Sequence, residues 1–591
     1  NWVDLKATGT AMKPLTLFKN ANGINLSNYS GAVKSETTET TETNIDARKT
    51  GSTITEITYE GYHFKGVTTA TADGGNLYGG ISKAGNSTRE NVITVNSGSH
   101  TNVYGGWTSG VGSIADSSKQ KDSTLNKVTI GGTTSVNGTV YGGFTDVSGG
   151  SATGNTVTAT NNFNADIVGG KAAGEASGNT VSVDHAAVNS ITGGDGATTK
   201  DNTVNIDGTT VANKIVGGTQ ADGTGNTLNV KGVNTARNIG GFQKLHFDTT
   251  GATGTMLTLS DGMNKTKVNW NTLTVGGSGY NITLLKNAAG IDFGGTYTDG
   301  AVKSGLSADQ QSEINVGVSA DKKAITYSGY RFTGATQALV DGAAVYGGIS
   351  KAGNATHHNA ITVHGNYDAV YGGHTSGTSD TAAEKKHSHD NTVTITGGAL
   401  GKVYGGYTDS TDGTTNDNTV NLGDGTSTMA AGYAINGTIY GGQNTTDLNK
   451  VSNNTLNVKT NATAYNIKNF STINFNFNAY TNTTQSLLTL NNSHGTTIER
   501  LSDLKLKDVP RGSGTLIENA SGLTINSYSG ALKLTAEKTE TIIDKQGTTK
   551  IGYNAYQFRD STETRSEGLE VWGGRSTIGN TTTKNTVTLN G

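Results

Sequence analysis

The chain has 591 residues, of which 85 are Gly, 2 are Pro and none is Cys, and only 15% are charged. Collagen is excluded because Gly follows no three-residue period, a coiled coil because so much Gly destabilises helices, and wholesale disorder because short β-branched runs recur throughout. The formal net charge is −3 with no long basic run, so no nucleic acid is expected as a partner.

Missing residue types narrow the possible sites. Without Cys the chain can form no disulfide, Cys-based zinc site or thiol nucleophile. No run of about 18 apolar residues occurs, so no transmembrane segment is predicted. No signal peptide follows Asn1, and neither end resembles a cap for a stack of repeats. We therefore expect the native protein to be part of a longer chain or an end-to-end fibre.

A repeat of about 24 residues organises the chain. Its first mark is an aliphatic residue, one variable residue and Gly-Gly. The first glycines of successive pairs stand at positions 79, 105, 142, 169, 193, 217 and 240, which gives spacings of 26, 37, 27, 24, 24 and 23 residues. Its second mark is Asn-Thr followed by alternating aliphatic and polar residues, beginning at Asn155, Asn179, Asn202 and Asn226.

This repeat predicts an all-β fold. Apolar residues two apart are typical of a strand with one buried face, while Gly-Gly and Asn suit the corners between strands. One unit cannot bury its own apolar face, so units must stack, each strand pairing with the next unit at ~4.8 Å. The interpretation is an elongated parallel β-solenoid with rungs of about 24 residues, and the general preference of parallel crossovers favours right-handed over left-handed winding.

The alternation also predicts which side chains stack inside. The residues expected to be buried above one another are Val103, Val140, Ile167, Ile191, Ile215 and Val345, with Val157, Val181, Val204, Val393 and Val420. The recurring Asn is expected to form an amide ladder, in which each side chain bonds to the next rung.

A longer repeat lies over the short one. The sequence Ile-Ser-Lys-Ala-Gly-Asn at 81–86 recurs unchanged at 349–354, and Tyr-x-Gly-Tyr-x-Phe at 59–64 recurs at 327–332, with a third version at 553–558. These matches predict three β-solenoid modules: 1–268, 269–500 and a truncated third at 501–591. The second is shorter than the first by about two rungs, a change that a linear stack tolerates.

Aromatic residues stand directly before many Gly-Gly pairs. They are Tyr78, Tyr104, Tyr141, Tyr346, Tyr371, Tyr404 and Tyr440, with Trp572 in the third module. Because the preceding aliphatic residue points inward, these rings should point outward and stack between rungs. They form either a stripe that binds a carbohydrate or protein, or a ladder that only stabilises the stack, and the stabilising role is favoured.

Two long loops are predicted after matching Gly-Gly pairs, from Trp107 to Leu125 and from His374 to Asp390. Loops on a rigid scaffold often carry binding residues, so Trp107 and His374 join the tyrosines as candidate binding residues. The run His387-Ser388-His389-Asp390 offers metal ligands, but the first loop contains no His. A solvated loop is therefore the favoured interpretation, and no metal site is expected.

No catalytic constellation is found in the sequence. Solenoid hydrolases and lyases need carboxylates that converge on one face, whereas Asp and Glu here are scattered. No Gly-x-Ser-x-Gly, phosphate-binding loop or His-Glu-x-x-His occurs, and the calcium-binding nonapeptide is limited to one fragment at 193–196. The chain is therefore not expected to be an enzyme, and no cofactor is predicted.

The repeated units resemble the β-helical passenger domains of Gram-negative autotransporter adhesins. The match rests on Tyr-Gly-Gly, on Asn-Thr-Val, and on the segment at 242–247 that returns at 470–475, and it covers essentially the whole chain. The resemblance implies a location at the cell surface or outside the cell, on a Gram-negative outer membrane. It also implies attachment to host cells, other bacteria or glycans, with a surface protein or glycan as the partner.

Two other functions stay open. The chain could be a structural surface fibre or spacer with no specific ligand in this segment. A polysaccharide-degrading β-helix enzyme is a less favoured third possibility, because no carboxylate pair recurs on one face.

Overall fold

A computed structural model resolves the two-residue alternation into strands. It describes residues 1–7, 9, 14–31, 34–110, 120–277, 279–307, 309–377, 386–425, 434–477 and 485–589. Within these ranges the regular elements are β-strands and 3₁₀ turns at Trp270–Thr272, Leu448–Lys450 and Leu501–Asp503, and no α-helix occurs. No helix in this part of the chain is long and apolar enough to cross a membrane.

The chain separates into two compact units. The first contains Asn1–Gly305 and Ile314–Gly329, and the second contains Leu306–Glu313 and Tyr330–Gly591. This division follows packing, whereas the three modules follow sequence repetition and stay a prediction.

In the first unit, three parallel sheets take one strand each from successive passes of the chain. The glycine sheet contains Asn76–Ser82, Val103–Thr108, Thr139–Thr145, Asp166–Ala172, Ser190–Asp195, Lys214–Gly218 and Asn238–Gly240, with Thr71–Asp73 antiparallel at its edge. The corner sheet contains Thr88–Arg89, Ser123–Thr124, Ala152–Thr153, Glu175–Ser177 and Thr198–Lys200. The asparagine sheet contains Val92–Val95, Lys127–Ile130, Thr156–Ala159, Thr180–Asp184, Thr203–Asp207, Thr227–Lys231, Lys244–Asp248 and Leu273–Gly276.

Further strands complete the first part of the chain. A fourth sheet runs through Ala187–Val188, Thr210–Val211, Asn234–Ala236, Thr255–Leu259 and Ile282–Asn287, followed in order by Ala324–Arg331, Ser312–Val318 and Lys303–Leu306. Two-stranded pairs join Ser99–His100 to Ser135–Val136 and Thr266–Lys267 to Ile291–Asp292.

The second unit repeats the three sheets. Its glycine sheet contains Ala344–Ser350, Tyr367–Thr375, Ala399–Thr408, Ala434–Asn444, Ala462–Lys468, Leu488–Leu490 and Gly512–Asn519, with Leu339–Asp341 at one edge and Lys550–Gln557, Thr539–Gln546 and Leu532–Thr535 at the other. Its corner sheet contains Thr356–His357, Ser388–His389, Thr415–Asn416 and Val451–Ser452, and its asparagine sheet contains Ala360–His364, Thr392–Gly397, Thr419–Leu422, Thr455–Val458, Thr472–Asn476 and Leu504–Lys507. Two-stranded pairs join Thr496–Ile498 to Leu523–Ile525 and Arg565–Glu567 to Glu570–Trp572.

Parallel, in-register pairing stacks like residues and forms the core. Val103 lies opposite Val140, and Val157 lies opposite Val181. The aliphatic residues predicted to point inward are all at most 1% exposed: Val103, Val140, Val157, Ile167, Val181, Ile191, Val204, Ile215, Val345, Val393 and Val420. The predicted inward set is therefore confirmed.

The Gly-Gly pairs lie inside strands rather than at corners, so their predicted position was wrong. Gly105 and Gly106 belong to Val103–Thr108, and neither has a positive φ. A Cβ at Gly105 would lie 2.3 Å from the carbonyl oxygen of Gly142, and one at Gly106 would lie 2.5 Å from the side-chain amide nitrogen of Asn126. Gly is needed here because neighbouring backbone and the Asn ladder approach too closely for any side chain.

Antiparallel hairpins interrupt the predicted parallel sheets. In the first unit Thr41–Thr50 pairs antiparallel with Thr53–His63, flanked by Lys34–Thr37 and Leu15–Lys19. Two residues, with Gly51 at φ +64°, connect the two long strands. So short a connection can join only antiparallel strands, because parallel strands need a longer crossover.

Candidate functional site

Stacked tyrosines form a row on the outer face of each glycine sheet. In the first unit, the ring centroids of Tyr78, Tyr104 and Tyr141 lie 5.1 and 5.0 Å apart, with rings tilted by only 8°. In the second unit the row is Tyr346, Tyr371, Tyr404 and Tyr440, with centroid spacings of 5.1, 4.9 and 4.9 Å. Strands ~4.8 Å apart in register bring equivalent rings to stacking distance.

A second aromatic row runs beside each tyrosine row. Trp107 lies opposite Phe144 on adjacent strands, and His374 lies opposite Tyr407 in the second unit. Both Gly105 and Gly106 are buried, so the pair interrupts the alternation and leaves Tyr104 and Trp107 on the same face, with ring centroids 6.0 Å apart. Trp107 and His374 are thus strand residues that pack on the tyrosines, not loop residues as predicted.

The rows are only partly open to solvent. Tyr78 and Tyr404 are 5% and 7% exposed, while the other row tyrosines are half-buried. Tyr78 belongs to a small cluster with Tyr62 and Ile81 that is separate from the aliphatic core, consistent with rings outside the sheet. Trp572 instead packs on Arg575, with the guanidinium 4.1 Å from its ring centroid.

Burial opposes charge on Tyr104, Tyr371 and His374. It raises the pKa of Tyr104 and of Tyr371 to about 12, with smaller contributions from the neighbouring tyrosines. Burial, with a smaller effect of Lys351, lowers the pKa of His374 to about 4. The His374 ring stacks on Tyr371 at 4.8 Å, and its Nδ1 has no hydrogen-bond partner among the described residues. A neutral aromatic surface suits apolar side chains or the C–H faces of sugars better than charged ligands.

The predicted asparagine ladder is confirmed. In the first unit, Asn126 donates to Asn155 Oδ1, Asn155 to Asn179 Oδ1 and Asn179 to Asn202 Oδ1, each over 3.0 Å. In the second unit, Asn391 donates to Asn418 and Asn418 to Asn454, also over 3.0 Å. These side chains are fully buried. They stabilise the stack and cannot meet a ligand.

The two predicted loops contain fewer residues than the sequence suggested, because residues at their ends belong to strands. Residues 111–119 and 378–385, in the middle of the two predicted loops, lie outside the described residues. The loop ends are not loop: Ser123–Thr124 and Ser388–His389 are strands of the corner sheets. Short strands were missed because only two residues of each pair in the ladder.

The histidines near the second loop are engaged by protein groups. His389 stacks on His357 at 5.2 Å, and its Nδ1 lies 2.8 Å from Asp390 Oδ2. The backbone N–H of Thr414 donates to His387 Nδ1 over 3.0 Å. One other group could hold a metal ion among the described residues, Asp184, His185 and Asp207, whose ligand atoms lie within 4.8 Å of one another. Lys231 Nζ already pairs with Asp207 at 3.0 Å.

Three buried glutamates were missed by the sequence analysis. Glu42, on the first hairpin, accepts from Ser82 Oγ at 2.6 Å, from the Lys83 N–H at 2.6 Å and from Asn86 Nδ2 at 2.7 Å. It is completely buried. Two other glutamates make the same contacts: Glu313 with Ser350, Lys351, Ala352 and Asn354, and Glu540 with Ser576, Thr577 and Asn580.

A sequence signal for these glutamates exists. The donors to Glu42 and Glu313 come from Ile-Ser-Lys-Ala-Gly-Asn at 81–86 and 349–354, and those to Glu540 come from Arg-Ser-Thr-Ile-Gly-Asn at 575–580. We call each arrangement a glutamate clasp, because Glu42 and Glu313 bind the end of the first parallel strand of a glycine sheet, Asn76–Ser82 and Ala344–Ser350 respectively.

Comparison with known proteins found no matching family model, no matching curated protein and no matching solved structure.

Proposed function

We propose that the chain is the passenger segment of a Gram-negative cell-surface adhesin, built as a right-handed parallel β-solenoid that attaches to host cells, other bacteria or glycans. The solenoid is supported by the passage of the chain through the glycine, corner and asparagine sheets in the same order on successive passes. In-register pairing of equivalent residues supports it as well. Such a stack is extended by adding turns, which suits a surface structure.

The observation that carries the attachment proposal is the pair of aromatic rows. They stand on the outer face of the glycine sheet in both units, and half-buried rings such as Tyr141, Tyr371 and Tyr440 keep part of their surface open. Rings fixed by stacking lose little entropy when a ligand packs on them. Repetition along the sheet offers several equivalent weak contacts, and linked weak contacts give a high overall affinity.

Binding of the fluorescently labelled chain to cells and immobilised glycans tests this proposal. We expect Tyr371→Ala combined with Tyr404→Ala to lower binding at least about fivefold, because the centre of the second row is removed. Tyr465→Ala is the matched control, since Tyr465 is 36% exposed and belongs to neither row. Thermal unfolding of each variant separates lost binding from lost folding. Equal binding by the row variant and the control would reject the rows as the attachment surface.

A passive fibre is the second candidate, and the low exposure of Tyr78 and Tyr404 favours it. If the rows only stabilise the stack, their rings are expected to pack closely on one another and to leave little surface for a ligand. The fibre predicts that the row variant unfolds at lower temperature, while the intact chain binds no cell or glycan. The adhesin predicts binding by the intact chain.

A further inference from the structure

A cavity of about 370 Å³ lies in the second unit, beside the end of strand Ala462–Lys468 and the 3₁₀ turn Leu501–Asp503. Its volume falls within the range of small-molecule sites. The residues that matter below are Asn466, Phe470, Thr497 and Asp503, all on its lining. The cavity is separate from the aromatic rows, and no motif in the sequence pointed to it.

Asn466 brings an unused donor to this cavity. Its side chain is buried, and its Oδ1 accepts from the Ile467 N–H at 2.9 Å and from Thr496 Oγ1 at 2.8 Å. Its Nδ2 donates to no residue that the structure describes. The equivalent Asn238 of the first unit does donate, to Asp261 Oδ2 at 3.3 Å.

Asn466 lacks this hydrogen bond because the residue that accepts it in the first unit, Asp261, is replaced in the second. The pairings of Leu259 and of Leu490 show that Asn492 stands where the first unit has Asp261. Asn492 uses its Oδ1 to accept from the His494 N–H at 3.1 Å and donates its amide to the Gly495 carbonyl. Asn466 therefore loses its acceptor. Its side-chain amide is then left available on the lining of the cavity, where a ligand can accept a hydrogen bond from it.

Asp503 brings an unused acceptor to the same cavity. Its side chain is only 9% exposed, and Arg500 Nε donates to its Oδ1 at 3.2 Å. Its Oδ2 accepts no hydrogen bond from any residue within the described ranges. Thr272 holds the same place in the first unit, as the last residue of a 3₁₀ turn before a strand of the asparagine sheet, and its hydroxyl donates to the Gln243 carbonyl. The second unit thus replaces a satisfied hydroxyl by a partly unpaired carboxylate.

An unpaired acceptor, an unpaired donor and an aromatic wall together match a sugar. One sugar hydroxyl can donate to Asp503 Oδ2 and another can accept from Asn466 Nδ2. The face of C–H groups of the same sugar can pack on Phe470. The lining carries two carboxylates, Asp503 and Glu499, and one ammonium group, Lys468, so its net charge disfavours an anion. A bare cation would leave the Asn466 donor unused. We propose that this cavity binds a single neutral sugar residue, such as the terminal hexose of a glycan.

Titration of the full chain with methyl hexosides, followed by ligand-observed NMR, tests the proposal. Glucuronate, putrescine and Ca²⁺ serve as the anionic, amine and metal probes. We expect at least one neutral hexoside to bind, and Asp503→Asn to raise its dissociation constant about tenfold, because a bond to a charged acceptor is lost.

A second variant keeps the proposal testable if Asp503→Asn folds poorly. Thr497 is exposed and lines the cavity, so Thr497→Trp should block it and abolish hexoside binding. Thr524, its exposed neighbour on the adjacent strand, is outside the lining, and Thr524→Trp should leave binding unchanged within about twofold. Absence of hexoside binding, binding of only the charged probes, or equal hexoside affinity in both Trp variants would each overturn the proposal.

The sugar-binding proposal and the attachment proposal can be rejected independently of each other. Loss of cell attachment in the Tyr371 and Tyr404 variant with hexoside binding retained would support the rows without touching the cavity. The reverse result, with hexoside binding abolished by Thr497→Trp and attachment unchanged, would support the cavity as a separate site.

Discussion

Protonation of His374 makes the stability of the second unit's aromatic row depend on pH. Burial lowers its pKa to about 4, below its ordinary value of 6.5, so the unfolded chain binds the proton more tightly. Its contribution to stability is complete above pH 6.5 and is lost as the pH falls towards about 4. Protonation in place would bury an unpaired charge between Tyr371 and Tyr407.

We therefore predict that the free energy of unfolding falls by on the order of 2–3 kcal/mol from this residue between neutral pH and pH ~4. Urea unfolding at several pH values measures the fall, and His374→Phe should remove that part of it while keeping the ring. NMR titration of the His374 ring gives the pKa directly. A midpoint near 6.5 would show that the ring is solvated and would contradict the packing described for it.

Residues that repeat with the strand period could be predicted, and unique ones could not. Val181 and Asn179 recur once per pass with the same neighbours, so alternation alone gave their burial and pairing. Glu42 accepts a hydrogen bond from Ser82, 40 positions away, and Asp503 lines the same cavity as the distant Asn466. Even where a loop recurs, as at 81–86 and 349–354, the sequence does not show which distant side chain it contacts.

At the scale of elements, the Glu42 clasp holds the first hairpin to the glycine sheet of the first unit. Burial raises the pKa of Glu42, although bonds from Ser82, Lys83 and Asn86 oppose the rise. Replacing the carboxylate by an amide turns one acceptor oxygen into a donor that faces other donors. Buried charged hydrogen bonds lost in this way cost about 2–4 kcal/mol.

We predict that Glu42→Gln lowers the free energy of unfolding by about that amount and speeds hydrogen exchange in Thr41–Thr50. Glu90→Gln is the control, because Glu90 is exposed and its ion pair with Lys65 spans 3.9 Å. If both variants unfolded alike, the clasp would have no role in holding the hairpin.

Strand pairing can be tested with engineered disulfides, because the chain contains no Cys of its own that could form other disulfides. Thr158 and Ser182 are Cα partners on adjacent strands of the asparagine sheet, on its half-exposed face. Neighbouring strands bring Cα atoms within the disulfide range of about 4.4–6.8 Å. We predict that Thr158→Cys with Ser182→Cys oxidises to an intramolecular disulfide without loss of folding.

The control pair spans two strand spacings. Thr158→Cys with Asn205→Cys should stay reduced, since Asn205 pairs with Ser182 rather than with Thr158. Thiol titration and mass spectrometry distinguish the two outcomes. A disulfide in the control pair and none in the test pair would mean a different strand order.

Pairing direction was less predictable than strand content. Tyr-x-Gly-Tyr-x-Phe alternates as the parallel strands do, yet its copies lie on Thr53–His63, Ala324–Arg331 and Lys550–Gln557, which pair antiparallel. For Thr53–His63 and Lys550–Gln557 the direction follows from the connections of two and three residues that join them to Thr41–Thr50 and Thr539–Gln546, and not from the alternation. The Gly-Gly pairs were wrongly placed at corners because close packing and a positive φ both favour Gly, and the sequence does not distinguish the two causes.

At the scale of the whole molecule, the same plan of three parallel sheets occurs in both units with different numbers of strands. The asparagine sheet has eight strands in the first unit and six in the second. Neighbour-only contacts allow such changes, because each strand depends on the strands beside it. The aromatic rows recur in both units, whereas none of the row tyrosines lines the cavity beside Asp503, so attachment and sugar binding need not share residues.

The most direct test of the proposed function is whether the chain alone makes an inert surface adhesive. Beads coated with the intact chain, and beads coated with an unrelated protein at equal density, would be counted on host cells, on bacterial layers and on immobilised glycans under flow. The account predicts that the intact chain increases the number of attached beads at least about tenfold on one of these surfaces, through many weak contacts acting together. Attachment no greater than that of the unrelated protein on all three surfaces would contradict the adhesin function and leave the passive fibre.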